Sequence, residues 1–208
     1  MPRLPDNSIP FHGNRIMRAS RWLGIALLPL LLCACGRSDN PEGEFYTDWD
    51  QAGGCASTMA RTVDWINGHG VPVDVCAFPG DFVWVTYAAL WCSTSQNQAP
   101  HVSAAVRSNT GNARFITTLT GGSEPFTEAT VRDAAQWAAR FGLDRAWVVT
   151  EGHSTRTIPQ HALIGPDGRT WFRYIGMLRG EEIATLLDEF RSGARSAFGA
   201  SSRWRERD

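Results

Sequence analysis

The stretch Phe82-Val83-Trp84-Val85-Thr86-Tyr87-Ala88 carries no charge, no glycine and no proline. Its β-branched and aromatic residues suit a pleated strand, and without polar alternation neither face of that strand meets water. It therefore reads as a buried central strand, which needs strands on both sides and cover above and below. The turn Phe78-Pro79-Gly80-Asp81 leads into it, and it runs straight into Trp91-Cys92. A chain of 208 residues that is 43% hydrophobic can supply one such core.

The flanking sequence supplies the other elements. Val63 to Ile66 and Val71 to Val75 bracket Asn67-Gly68-His69-Gly70, a β-hairpin signal because Asn and Gly tolerate positive φ. Ser95 to Ser108 is weakly helical, with Val102, Ala105 and Val106 on one side, and it breaks at Gly111-Asn112. Arg114 to Thr120 reads as a strand. Thr127 serves as N-cap of a helix with Val131, Ala134, Ala135 and Ala138 on one stripe, ending at Gly142. Ala146 to Thr150, Gln160 to Ile164 and Thr170 to Ile175 read as strands, the last two joined by the turn Pro166-Asp167-Gly168-Arg169. Ile183, Leu186, Leu187 and Phe190 mark a final helix. The order is a hairpin followed by βαβαββα, an α/β sandwich with a mixed sheet and helices on both faces.

The N-terminus carries an address. Arg15, Arg18 and Arg21 precede an apolar run from Leu23 to Leu32, too short for a membrane span but laid out as a signal peptide. It ends in Leu32-Cys33-Ala34-Cys35, which matches a bacterial lipobox, so cleavage is expected after Ala34 with lipid on Cys35. Met17 is an alternative start, since Met17 to Cys35 is itself a complete signal. Expected boundaries are a signal over 1–34, a lipidated tether over 35–54, a domain over 55–191 and a mobile Arg-rich tail over 192–208. The mature chain keeps 16 basic against 20 acidic side chains, with arginine as the sole cation apart from histidine. No basic tract points to nucleic acid. The expected setting is the cell envelope, facing the periplasm, with Gly36 in place of an aspartate favouring the outer membrane.

Four features in this order make the chain resemble the thioredoxin-like superfamily, and most closely its membrane-tethered thiol-disulfide proteins. A central strand ends in Trp91-Cys92, where the family writes W-C-x-x-C. Pro100 lies where the family kinks its first helix. Thr157-Ile158-Pro159 precedes a strand, where the family has a cis-proline facing the reactive cysteine. Leu163-Ile164-Gly165-Pro166-Asp167-Gly168 is similar to the family's strand and turn, with Gly176 its following glycine. The resemblance covers Val63 to Phe190 and implies a thioredoxin-like fold, with Cys92 as nucleophile, Trp91 beside it and Pro159 shaping a substrate groove.

The departure is Ser95, which stands where the family keeps its second cysteine. A C-x-x-S site cannot resolve its own mixed disulfide, so dithiol exchange through this motif alone is excluded. What the resemblance leaves is a Cys92 thiolate stabilised by the helix N-terminus and a Ser95 hydrogen bond, which forms a mixed disulfide with a protein or small-molecule thiol and is released by an outside thiol. The other reading is a non-catalytic module whose groove around Trp91 and Pro159 binds a client chain in the envelope. Peroxidase chemistry lacks its motif, because Ala89 stands three residues before Cys92. Copper delivery lacks the second cysteine.

Cys55 and Cys76 remain, and an oxidising compartment lets them pair. If Asn67 to Gly70 is a hairpin turn, both lie towards the far ends of its arms, whereas Cys92 is a whole strand away from the Phe78 turn. A Cys55–Cys76 disulfide with a free Cys92 is the expectation, with Cys55 as a distant resolving cysteine for Cys92 the alternative. His153 and His161 bracket the Pro159 loop, but no group of residues has metal-ligand spacing. Trp84, Trp137, Trp147 and Trp171 fall on core elements and read as packing, and Glu151 as a solvated loop carboxylate. No cofactor or metal is expected, and the protein is expected to be a monomer.

Overall fold

A computed structural model describes residues 55, 65–151 and 157–195. The signal segment, the tether, His153 and the tail beyond residue 195 lie outside them. The described chain forms β1 (Ile66–Asn67), β2 (Phe82–Ala88), α1 (Ser93–Ser108), β3 (Ala113–Leu119), α2 (Val131–Phe141), β4 (Val148–Thr150), β5 (Gln160–Ile164), β6 (Thr170–Ile175) and α3 (Gly180–Arg191). These strands make one sheet in the order β1-β4-β3-β2-β5-β6. β2 is buried along its whole length, between parallel β3 and antiparallel β5.

Alternate residues of β2 serve two cores. Phe82 and Trp84 point to a layer filled by Val102 and Ala105 of α1 and by Ile183, Leu186 and Phe190 of α3. Ala88 joins the part of that layer completed by Ala134, Trp137 and Ala138 of α2. Val83, Val85 and Tyr87 point the opposite way, towards Trp65, Val75, Ile158 and Cys92. All three described α-helices thus cover one face, and among the described residues the chain from Trp65 to Phe78 covers the other.

Three local expectations are corrected. The second hairpin arm, Val71 to Val75, is reduced to a single bridge between Ile66 and Pro72, followed by a 3-10 turn over Val75–Ala77. Asn67 N–H donates to Val71 O at 2.9 Å and Val73 N–H to Trp65 O at 2.8 Å on either side of that bridge, and β1 also pairs with β4. The Asn67 turn does form, its Oδ1 accepting from the backbone N–H groups of His69 and Val71 at 2.9 and 3.0 Å. Helix α2 starts three residues later than expected. Thr130 is its N-cap, in a capping box with Asp133, while the Thr127 hydroxyl donates to Glu124 O at 2.7 Å. β4 begins at Val148 rather than Ala146, because Asp144 caps a 3-10 turn over Arg145–Trp147.

At the end of the sheet where β2 begins, Cys55 and Cys76 form a disulfide with a Cα–Cα distance of 5.5 Å. Cys55 N–H donates to Gly168 O at 3.2 Å and Gly80 N–H to Pro166 O at 3.3 Å. The bridge and these two bonds fasten the entry of β2 to the turn between β5 and β6.

Inside the helical layer His161 of β5 is fully buried, opposite Thr86. Trp84 Nε1–H donates to its Nδ1 at 3.3 Å, and Thr86 Oγ1 lies 3.1 Å from the same nitrogen. With Nδ1 accepting, the ring proton belongs on Nε2, which faces the Gly176 backbone without a hydrogen bond of good geometry. Burial pushes the His161 pKa down from 6.5 to about 3, the Gly176 backbone pulling the other way. The ring is neutral and structural.

Two outcomes follow for stability. The double variant Cys55→Ser/Cys76→Ser opens a loop of 21 residues, and urea unfolding should show a loss of about 3 kcal/mol from the freed chain entropy; an unchanged midpoint would mean the bridge holds nothing. For His161, the folded pKa lies below the unfolded one, so its contribution is complete above pH 6.5 and is lost progressively towards pH 3. Unfolding free energies from urea titrations between about pH 6.5 and 5 should fall with a slope approaching about 1.4 kcal/mol per pH unit. That slope should flatten in His161→Gln, and identical slopes in the two proteins would refute the assignment.

Candidate active site at the end of strand β2

Register decides what meets at the other end of the sheet. Tyr87 of β2 stands opposite Gln160 of β5, so the chain leaving β2 and the chain entering β5 emerge side by side. Cys92 lies in the first and Ile158-Pro159 in the second. The Ile158–Pro159 peptide is cis. Cys92 Sγ lies 3.9 Å from the Ile158 carbonyl oxygen, and both residues are buried, with Cys92 wholly inaccessible.

Cys92 is the N-cap residue of α1, in extended backbone conformation and with no side-chain cap of its own. Its carbonyl accepts from Gln96 N–H at 3.0 Å, so its sulfur sits at the N-terminus of a 16-residue helix whose first turn holds no acidic residue. The helix dipole and its unpaired N–H groups favour negative charge there. Pro100 lies inside α1, on its exposed side.

Ser95 is buried on the first turn. Its Oγ accepts from Ala89 N–H at 3.4 Å, and it makes no hydrogen bond to Cys92. The expected Ser95–Cys92 bond is therefore replaced by one that closes the elbow between β2 and α1. The same elbow is held by Cys92 N–H donating to Ala89 O at 3.2 Å and by Gln96 Nε2 donating to Leu90 O at 2.6 Å. Arg140 of α2 in turn donates to Gln96 Oε1 at 3.0 Å.

Trp91 is half-buried. Leu90 N–H and Trp91 N–H donate to Gly121 O and Gly122 O, each at 3.1 Å, which lays the Trp91 ring against Gly121. A Cβ on Gly121 would come within 3.0 Å of Trp91 Nε1 and 3.1 Å of Ala89 Cβ. This glycine was not singled out from the sequence, where a Gly-Gly pair reads only as a break. Glu151 follows β4 at the same sheet end, its N–H donating to Leu119 O at 3.0 Å.

The structure brings Trp91, Cys92, Ser95 and Pro159 together and places Cys55 and Cys76 at the opposite sheet end. Cys55 is paired with Cys76 and is not the partner of Cys92. Cys92 is nevertheless in the disulfide-bonded form, its partner lying outside the described residues, in place of the expected free thiol. Among the described residues no three His, Cys, Asp or Glu side chains are grouped to hold a metal ion, and no helix is long and apolar enough to cross a membrane. Cys35 and its flanking sequence lie outside the described residues.

Comparison with protein-family models and with curated proteins finds no match. Solved structures do match. The solution structure of a candidate protein disulfide isomerase from Bacteroides thetaiotaomicron aligns over 62% of this chain and 82% of its own, with a TM-score of 0.50 and 14% identity. The exposed lipoprotein thioredoxin of Streptococcus pneumoniae aligns over 60% and 96%, with a TM-score of 0.46 and 18% identity. A secreted Mycobacterium tuberculosis disulfide oxidoreductase aligns over 60% and 92%, with a TM-score of 0.47 and 14% identity. At these identities the likeness concerns the backbone. The match at a TM-score of 0.50, together with the strand order and the cis-proline before β5, shows the fold of this chain as thioredoxin-like.

Proposed function

We propose that this protein is an envelope thiol-disulfide exchange protein that works through one sulfur, that of Cys92. The observation that carries the reading is the placement of Cys92 Sγ at the N-terminus of α1, 3.9 Å from the carbonyl that precedes cis-Pro159. In its reduced form Cys92 attacks one sulfur of a client disulfide. A Cys92–client disulfide forms, the client's other sulfur leaves as a thiolate, and the helix N-terminus stabilises the attacking anion. A thiolate from an outside thiol then attacks the client sulfur of that mixed disulfide. A new disulfide forms between client and outside thiol, and Cys92 departs as thiolate, ready for another cycle.

Ser95 sets the limit of this chemistry. It occupies the position from which the second thiol of a C-x-x-C motif would attack the mixed disulfide, so release does not come from within this motif. The lipobox ending in Cys35 supports a lipid anchor and a periplasmic setting, where client disulfides are found. The second reading, a thioredoxin-fold module that binds a client without turnover, is favoured by the complete burial of Cys92.

The two readings separate in one assay. With the mature protein, a disulfide-linked peptide and excess outside thiol, wild type should show peptide reduction that depends on Cys92 and vanishes in Cys92→Ser. Ser95→Cys should raise turnover by about tenfold or more at low outside thiol, because resolution becomes intramolecular. Wild-type turnover equal to that of Cys92→Ser would favour the binding module.

A further inference from the structure

Phe126, in the loop between β3 and α2, is 72% exposed and has a φ of 64°. Among the described residues it alone, glycines apart, has a positive φ, and for a bulky side chain that conformation is strained. The local turn explains the angle but not the residue. Pro125 precedes Phe126, and Thr127 N–H donates to Glu124 O at 3.3 Å, so Glu124 to Thr127 is a β-turn with proline second and Phe126 third. Glycine is the usual residue at that third position when φ is positive. Phe126 gives the core nothing in return, for it belongs to none of the three hydrophobic clusters.

The loop holds this ring at the rim of the site. Gly122 N–H donates to Thr127 O at 2.8 Å, while Gly122 O accepts from Trp91 N–H. A Cβ on Gly122 would come within 2.7 Å of Glu128 O, so the neck of the loop closes tightly beside the Trp91 backbone, one residue from Phe126. Across β2, Met177 is 40% exposed and follows Gly176, whose N–H donates to Pro159 O at 3.0 Å. Exposed apolar side chains thus stand on the two loops fastened to Trp91 and to Pro159.

Charge decides what sits there. Glu124 and Glu128 lie two residues to either side of Phe126, both exposed, and neither is in an ion pair among the described residues. Arg132 is the nearest cation along the chain, and Asp133 beside it is taken up by the Thr130 cap. An exposed ring between two free carboxylates attracts a cationic chain and repels an anionic membrane surface.

We infer that Phe126 is a docking residue for a polypeptide client that presents a large apolar side chain with lysine or arginine beside it. The apolar side chain lies against Phe126 at the edge of the groove around Trp91 and Pro159, and the cation meets Glu124 and Glu128. This deepens the exchange reading and rests on it for the word client, while the contact itself involves no sulfur.

The test uses the mature chain produced without lipid and a display library of random cysteine-free peptides, selected on wild type. Selected peptides should carry a large apolar residue with lysine or arginine within about two positions. Synthesised singly and followed by fluorescence anisotropy, they should bind Phe126→Gly at least about fivefold more weakly than wild type. Glu124→Gln/Glu128→Gln should weaken them at least about threefold at low salt and flatten their salt dependence. Glycine relieves the strain at position 126, so the urea midpoint of Phe126→Gly should equal or exceed that of wild type. A lower midpoint would make the ring structural and overturn the inference. So would an empty selection, peptides without that pattern, or equal affinity for wild type and Phe126→Gly. Binding to phosphatidylethanolamine–phosphatidylglycerol vesicles that Phe126→Gly abolishes would assign the ring to a membrane and overturn it too. Because the peptides lack cysteine, a wild type that reduces no disulfide would remove the exchange reading and leave this comparison readable, and lost docking would leave the exchange assay standing.

Discussion

Tyr87 opposite Gln160 is the contact on which the rest of the site depends. With β2 and β5 in that antiparallel register, Ala88 to Cys92 and Thr157 to Pro159 leave the sheet side by side. Because side chains alternate along a strand, a slip of one residue would turn Val83, Val85 and Tyr87 out of their core and expel Trp84 and Ala88 from the other. The register is held from both faces: by the Trp84–His161 and Thr86–His161 contacts in the helical layer, and by Val83, Val85, Ala162 and Ile164 in the opposite core. The Cys55–Cys76 bridge adds a constraint where β2 begins, at the sheet end away from the chemistry.

The chemistry proposed for Cys92 is an opposition of two nearby dipoles. Sixteen residues of helix present their positive end to the sulfur, and a peptide carbonyl presents its negative end from 3.9 Å. Neither is a full charge, and no acidic residue of the first turn of α1 disturbs the balance. Ser95 enters differently. Its hydroxyl belongs to the elbow below the sulfur, so its main effect on function is the absence of a second thiol.

Much of the fold was legible because the deciding signals are local. β5 and β6 coincide with their expected bounds, since apolar runs and the Pro166-Asp167-Gly168 turn mark them. The start of α2 was misplaced because two threonines lie three residues apart, and only Thr130 has an acid at its third helical position to complete a capping box. The hairpin signal at Asn67-Gly68 was real as a turn, but the second arm ends early, where Asp74 caps the 3-10 turn over Val75–Ala77. Cys92, Trp91 and Pro159 were found from a sequence resemblance, whereas Phe126 was not found. Its loop reaches Trp91 through the backbone bonds of Gly122, which leave no trace in residue type or spacing. The same holds for Ser95, whose neighbour Ala89 offers only its N–H.

The central claim, that Cys92 alone exchanges sulfur with an outside partner, is tested most directly by incubating reduced mature protein with a limiting amount of a low-molecular-weight disulfide such as oxidised glutathione and mapping the mixed disulfide by peptide mass. The account predicts an adduct on the Cys92 peptide, with Cys55 and Cys76 returning to their mutual bridge. An adduct confined to Cys55 or Cys76, or none on Cys92 at any pH, would contradict it.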